Sequence, residues 1–267
     1  MRQRARFRAT PKDGVAWVTG ASAGIGRAVA IELARRGYRV AVTARRESEL
    51  AALAAEYKNI FGFPGDIGER APMAALVHEI EAAHGPIALA FLNAGVYFPA
   101  EAESFTAALA WRTFEVNVGG TLNCLDPLLA AMERRGRGQI AINASLAGYG
   151  GIPGSAAYGA AKAALIAMAE ALKLTHDSTG VSFQIVNPGF VRTDMTAYAT
   201  HFHMPFLMEA EQAARIICDG FERTGFEIAF PRRLAYAFKA ARLLPYALFF
   251  PLMARATRRA RPRRRVN

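Results

Sequence analysis

The sequence predicts an α/β protein, a doubly wound parallel sheet with helices on both faces, built as one domain over residues 13–231. Short apolar runs of strand length alternate with longer segments of helical period from residue 15 to residue 230. The first of those runs ends in a cluster of glycines that opens directly into a helix. The 267 residues supply one core of this kind, not two with a linker between them.

Val15-Ala16-Trp17-Val18-Thr19 reads as a buried strand. Gly24 to Arg36 reads as a helix, because Ile25, Ala28, Val29 and Leu33 recur on one face, and Gly37 is its stop. Arg39 to Thr43 is the second strand, Glu47 to Tyr57 the second helix, and Ile60 to Pro64 a short third strand. Pro72 to His84 is a helix and Ile87 to Leu92 the fourth strand. A long helical region over 105–135 contains Asn117 and a break near Gly119-Gly120. Gln139 to Ala144 is a strand, Ala156 to Thr175 a helix, and Val181 to Val186 a strand running into Asn187-Pro188-Gly189. A helix over 209–223 and a strand at Glu227 to Phe230 complete the body. Parallel strands require crossovers, which helices supply here.

Charge divides the chain differently. The net charge is +11. Residues 1–12 form a basic arm with Arg2, Arg4, Arg6, Arg8 and Lys12 and no acid, and residues 232–267 carry ten arginines and Lys239, again with no acid. Without those sixteen charges, residues 13–231 hold 17 basic and 22 acidic side chains, a net of about −5. The start lacks the apolar stretch of a secretory signal and is short for a transit peptide. No run approaches the roughly 18 apolar residues of a spanning helix. Cys124 and Cys218 belong to no metal or redox motif and read as buried thiols. The composition points to a cytoplasmic protein.

After the first strand comes Thr19-Gly20-Ala21-Ser22-Ala23-Gly24-Ile25-Gly26. Gly20 permits a tight turn, Gly24 a close approach of backbone to a pyrophosphate, and Gly26 close packing of helix on strand. The helix then offers free N–H groups and partial positive charge to phosphates. Glycines at such a turn also occur for the turn alone, but their place after the first strand favours a dinucleotide loop. The second strand ends in Thr43-Ala44-Arg45-Arg46, with no acid before Glu47. An acid there accepts the ribose 2′-OH of NAD, whereas two guanidiniums suit a 2′-phosphate, so NADP(H) is expected over NAD(H).

Tyr158 and Lys162 lie one helical turn apart, and Ser145 follows the fifth strand. Tyr-x-x-x-Lys alone is weak, since eight tyrosines and five lysines give about 0.15 chance matches. Chemically the three residues form a set. A phenol near pKa ~10 is a poor acid at neutrality unless a neighbouring cation favours phenolate, and a hydroxyl can hold the substrate oxygen in line.

These pieces, in this order, resemble the single-domain branch of the short-chain dehydrogenase/reductase family across about residues 13–230. The matching residues are Thr19-Gly20-x-x-x-Gly24-x-Gly26, Asp66, Asn93-Ala94-Gly95, Asn117, Ser145, Tyr158-x-x-x-Lys162 and Pro188-Gly189-x-x-x-Thr193. The resemblance implies a Rossmann-type sheet and oxidoreduction between a carbonyl and a secondary alcohol, with Tyr158 as general acid/base. It implies that Gly20, Ser22, Gly24, Ile25 and Gly26 hold the cofactor with Arg45 and Arg46. Asp66 and Ile67 would sit at the adenine, and Asn93, Ala94 and Gly95 would steady the sheet and line the cofactor. Asn117 would join a water-linked relay through Lys162, and Pro188, Gly189, Val191 and Thr193 would flank the nicotinamide. Homo-oligomers, dimeric or tetrameric through long helices, are also implied.

The substrate loops are apolar: Val96-Tyr97-Phe98-Pro99, Gly148 to Ser155, and a lid-like Met195 to Met208 with Tyr198, Phe202, Met204, Phe206 and Leu207. They suit a lipophilic small-molecule substrate, and equally a lid or subunit contact. His201 and His203 have no third ligand nearby and do not read as a metal site. Residues 232–267 form an apolar, aromatic and arginine-rich extension. It reads either as a peripheral anchor on an anionic membrane or as a segment packed on the body or a second subunit. Two rival classes remain: a cofactor-binding regulatory protein, and a nucleic-acid binder using the basic ends. The retained catalytic set argues against the first, and the lack of a groove-reading motif argues against nucleic acid.

Overall fold

The first strand, β1 (Val15–Thr19), is buried along its whole length, as a strand covered on both faces must be. The computed structural model describes residues 7–98, 105–176, 178–197 and 204–256. Side chains of β1 alternate: Ala16 and Val18 face one layer of the core, Val15 and Trp17 the other. Trp17 is fully buried, and its indole N–H donates to Thr43 Oγ1 at 2.9 Å, which satisfies its one polar atom.

Helix α1 (Gly24–Arg35) leads to β2 (Arg39–Thr43), α2 (Glu47–Glu56), β3 (Ile60–Gly62), α3 (Arg70–His84) and β4 (Ile87–Leu92). Gly37 stops α1 in a left-handed conformation (φ +88°), with its own N–H on Ala34 and that of Tyr38 on Leu33. The later elements are α4 (Ala107–Phe114), a π-helical turn (Glu115–Gly119), α5 (Gly120–Arg134), β5 (Gly138–Asn143), α6 (Ala156–His176), β6 (Val181–Pro188), α7 (Asp194–Ala197), α8 (Ala210–Phe221) and β7 (Glu227–Phe230). Two helices then follow, α9 (Arg232–Arg242) and α10 (Tyr246–Ala256).

The seven strands are parallel and run in the order β3-β2-β1-β4-β5-β6-β7. Leu50 and Leu53 of α2, Val29 and Leu33 of α1, and Ile217 and Phe221 of α8 pack on one face. Met73 and Ile80 of α3, Leu128 and Met132 of α5, and Leu165 of α6 pack on the other. Each such buried aliphatic contributes roughly 1.5–3 kcal/mol. The strand order reverses between β1 and β4, so the chain leaves a crevice at the carboxyl ends of those strands.

Four departures from the sequence reading stand out. The long helical region is two helices joined by the π turn that contains Asn117. The sixth strand runs two residues further, to Pro188, because Asn187 and Pro188 pair with Ala229 and Phe230 of β7. The third strand stops at Gly62, two residues short of Pro64, which lies past the last pairing with β2. The extension beyond Pro231 is helical through Ala256. Cys124 and Cys218 are buried free thiols; burial pushes the Cys124 thiol up to about 12. No helix among the described residues is long and apolar enough to cross a membrane.

Candidate active site

At the reversal of strand order lies a cleft of about 680 Å³, within the range of small-molecule and cofactor sites. The positions singled out from the sequence line it, from Gly20, Ser22, Gly24 and Ile25 through Asp66 and Ile67 to Pro188, Gly189, Val191 and Thr193; Gly26 alone does not. Gly26 is packed beneath the loop. A Cβ there would lie 2.3 Å from the Gly20 carbonyl oxygen and 2.5 Å from Asn93 Nδ2, so no side chain fits. Gly20 and Gly24 have left-handed backbones (φ +68° and +55°), and a Cβ on Gly24 would strike Thr193 at 2.9 Å. The loop after β6 therefore crosses close over the glycine turn. Ala23, at the N-cap of α1, offers no capping side chain, and no acid stands in the first turn. Those N–H groups fit a pyrophosphate.

At the end of β2, Arg46 donates from Nε and Nη2 to Ser22 Oγ at 3.2 and 3.0 Å, so its guanidinium stands beside the glycine loop. Arg45 faces Asp66, 3.8 Å away, and both side chains are exposed. Asp66 accepts from the Gly68 N–H at 2.9 Å, and Ile67 is buried against Gly120, where a Cβ would meet it at 2.5 Å.

A polar ladder crosses the strand ends. Thr19 Oγ1 accepts from the N–H groups of Asn93 and Ala94 at 2.9 and 3.1 Å, and Asn93 Nδ2 donates to the Thr19 carbonyl at 3.0 Å. Asn143 Nδ2 donates to Asn93 Oδ1 at 2.9 Å, and Lys162 Nζ donates to the Asn143 carbonyl at 2.8 Å. Asn143 escaped the sequence reading, and Thr19 was named there only within the glycine motif; their pattern, polar residues closing otherwise apolar strands, was the available signal.

Asn117 is fully buried on the π turn. Its Nδ2 donates to the carbonyls of Val96 and Thr113, each at 2.9 Å, and its Oδ1 accepts from Val96 N–H at 3.3 Å. The side chain thus clamps the loop after β4. Gly95 separates it from the lysine: a Cβ on Gly95 would lie 2.5 Å from Asn117 Oδ1 and 3.5 Å from Lys162 Nζ.

Tyr158 and Lys162 come from the first turns of α6. The ammonium sits 5.6 Å from the centre of the phenol ring, and the Tyr158 hydroxyl is hydrogen-bonded to Ser145. Ser145 also caps the short turn after β5, accepting from Ala147 N–H at 3.1 Å. Burial pushes the Tyr158 phenol up to about 12, against the Ser145 hydrogen bond, which lowers it; the neighbouring Tyr97 raises it further. Burial brings the Lys162 ammonium down to about 8. The lysine is held by the Asn143 carbonyl beside the phenol, and burial is the largest of the causes acting on the phenol.

On the substrate side Tyr97 packs against Tyr158 with ring centres 5.1 Å apart, and Arg112 lies 3.8 Å over the Phe98 ring. A small hollow beside Tyr158 is walled by Tyr97, Phe98, Phe105 and Leu109. Met195 lines the cleft, and Phe206 is exposed. Pro99, Tyr198, His201, Phe202 and His203 lie outside the described residues.

The sequence model described as short chain dehydrogenase matches residues 14–203, well over half of the chain. The chain belongs to the short-chain dehydrogenase/reductase family. An uncharacterized oxidoreductase of Myxococcus xanthus is 37% identical over 238 residues, which cover 88% of this chain and 94% of that protein. The 3-oxoacyl-(acyl-carrier-protein) reductase FabG of Staphylococcus aureus is 31% identical over 186 residues, 68% of this chain and 76% of that protein. A short-chain dehydrogenase from Streptomyces avermitilis superimposes with a TM-score of 0.77 at 26% identity, covering 89% of this chain and 93% of that one. As a short-chain dehydrogenase/reductase, the chain is an NAD(P)-dependent oxidoreductase for carbonyl and alcohol groups. Its sheet is the α/β sheet of that family, and the cleft just described lies at its dinucleotide crevice.

Proposed function

We propose that this enzyme prefers NADP(H) and interconverts a carbonyl and a secondary alcohol on a lipophilic small molecule, with Tyr158 as the proton donor and acceptor. The observation that carries the chemistry is the Ser145–Tyr158 hydrogen bond beside a buried ammonium anchored by the Asn143 carbonyl, all in one cleft with the glycine loop. The bound cofactor supplies or accepts the hydride. Ser145 orients the substrate oxygen through its hydroxyl, and Tyr158 delivers a proton to that oxygen in reduction or removes one in oxidation. The phenol is protonated at neutral pH, as proton donation in the reductive direction requires. Lys162 favours phenolate whenever the proton has left, and Asn117 positions the loop that brings Gly95 beside Lys162.

The cofactor preference rests on Arg46 beside Ser22, with Arg45 one residue away. A guanidinium matches a 2′-phosphate with paired donors, and no acid stands at the strand end to accept a 2′-hydroxyl. The aromatic wall of Tyr97, Phe98 and Phe105 supports an apolar substrate. Exposed Trp111 and Leu122, on α4 and α5, support a homo-oligomer formed through those helices. The test is cofactor-linked absorbance with NADPH and NADH across ketones, aldehydes and secondary alcohols, lipid-like ones included. Wild type should favour NADPH, and Arg46→Ala should lose about tenfold or more of kcat/KM for NADPH while NADH is little affected. A wild-type preference for NADH refutes the cofactor assignment.

A further inference from the structure

We propose that the outer face of α9–α10 docks on an anionic lipid bilayer. The two helices form a small unit with a divided surface. Ala241, Phe249 and Met253 turn inward onto Ile152 and Phe238. Leu243, Tyr246, Leu248, Phe250 and Leu252 turn outward, with Leu243 86% exposed and Phe250 60%. So dense an apolar and aromatic patch on one helical hairpin is unusual on a surface that meets only water.

Charge selects the occupant. Arg232, Arg233, Arg242 and Arg255 are exposed on the same two helices, and the Arg242 guanidinium lies 5.8 Å from the Tyr246 ring centre. No carboxylate side chain occurs anywhere in residues 232–267, and six more arginines follow in the sequence after Thr257. A two-fold contact between copies of this chain through the patch would bring arginine against arginine. A nucleic-acid backbone would neutralise the arginines and leave Leu243, Leu248 and Leu252 in water. An anionic bilayer answers both features, lipid phosphates meeting the guanidiniums and the acyl boundary receiving the rings. Each helix has 11 residues, about 16 Å, too short to cross, so the pair lies in the interfacial plane.

The patch is held in a fixed relation to the cleft. Lys239 pairs with Glu227 at the start of β7, and Glu227 also accepts from Tyr149 and, at 3.0 Å, from Asn187. The Phe249 ring lies 3.3 Å from where a Cβ on Gly150 would stand, and Gly150 and Ile152 belong to the loop that leads to Tyr158. Docking would set the substrate side of the cleft close to the lipid surface. That delivery of a lipid-borne carbonyl rests on the lipophilic-substrate reading; binding to the bilayer does not.

The test is flotation of the full chain with vesicles of phosphatidylcholine alone and of phosphatidylcholine containing phosphatidylglycerol. Two variants accompany it, Leu248→Gln/Phe250→Gln and Arg232→Gln/Arg233→Gln, both confined to exposed side chains. Wild type should float with the anionic vesicles only, more weakly as salt rises. Loss of two surface charges should cut partitioning roughly 25-fold, about fivefold per charge, and the apolar variant should fall comparably. Thermal melting and turnover of a water-soluble carbonyl should match wild type in both variants. The proposal is overturned if wild type fails to float with anionic vesicles, or if both variants float as wild type does. It is equally overturned if the variants change the sedimenting mass, or if duplex DNA displaces the chain from the vesicles.

Discussion

Replacing Lys162 by methionine removes a buried ammonium while keeping most of the side chain's length, and the effect on stability has a definite sign and pH dependence. The group is 3% exposed, and burial lowers its pKa from 10.5 to about 8. Between those values the unfolded chain binds the proton and the folded chain does not, so stability rises with pH through the window from about 8 to 10.5. Below it the buried charge costs roughly 3 kcal/mol. Methionine removes that cost and leaves the Asn143 carbonyl without its 2.8 Å donor, a loss of about 1–2 kcal/mol. Lys162→Met should therefore be more stable than wild type by about 1–2 kcal/mol at pH 7 while losing turnover. By pH 9 wild type should recover roughly 1 kcal/mol relative to the variant. The comparison between the two proteins cancels the cysteines and other tyrosines that titrate at higher pH. Urea unfolding followed by the fluorescence of buried Trp17 at pH 7 and pH 9 measures the gap. A gap that does not change with pH, or a variant less stable at pH 7, refutes the reasoning.

Gly26→Ala should lower stability by about 1–3 kcal/mol and weaken cofactor binding, because its Cβ would stand 2.3 Å from the Gly20 carbonyl oxygen; calorimetric titration and melting report the two effects separately. Ser145→Ala should cut kcat by about 10²–10³ with little change in cofactor affinity, measured by steady-state kinetics and cofactor fluorescence; an equal loss in both would assign the residue to folding instead. Glu227→Ala should destabilise by roughly 2–3 kcal/mol, since Lys239, Tyr149 and Asn187 all lose their acceptor, and hydrogen exchange should rise first in α9.

The sequence was most legible where one physical signal acted alone. Val15 to Thr19 was bounded correctly at both ends, because a continuous apolar run meets a glycine turn there. Gly37 marked the end of α1 because only a residue free to take φ +88° closes that cap. The cleft was legible for the same reason: loops at the carboxyl ends of parallel strands must meet at the reversal of strand order. Gly119-Gly120 signalled a break in the long helical region, but the π form of the turn that holds Asn117 left no comparable trace. It is a shift of backbone hydrogen-bond register, and Glu-Val-Asn-Val-Gly suits either kind of turn. Asn143, the carbonyl partner of Lys162, was invisible because its importance depends on lateral register between β4 and β5. The extension was read by composition alone, without elements; Pro245 stands just ahead of α10, where its missing N–H costs nothing, and Pro251 is accommodated within it. The pKa directions of Tyr158 and Lys162 depended on burial, which spacing alone does not reveal.

Removing one oxygen atom, by Tyr158→Phe, probes the proton transfer with the least disturbance to the fold. NADPH affinity and melting temperature should stay close to wild type, while carbonyl-dependent oxidation of NADPH should fall by about 10²–10⁴. Turnover that survives at the wild-type rate, with cofactor still bound, would contradict the account.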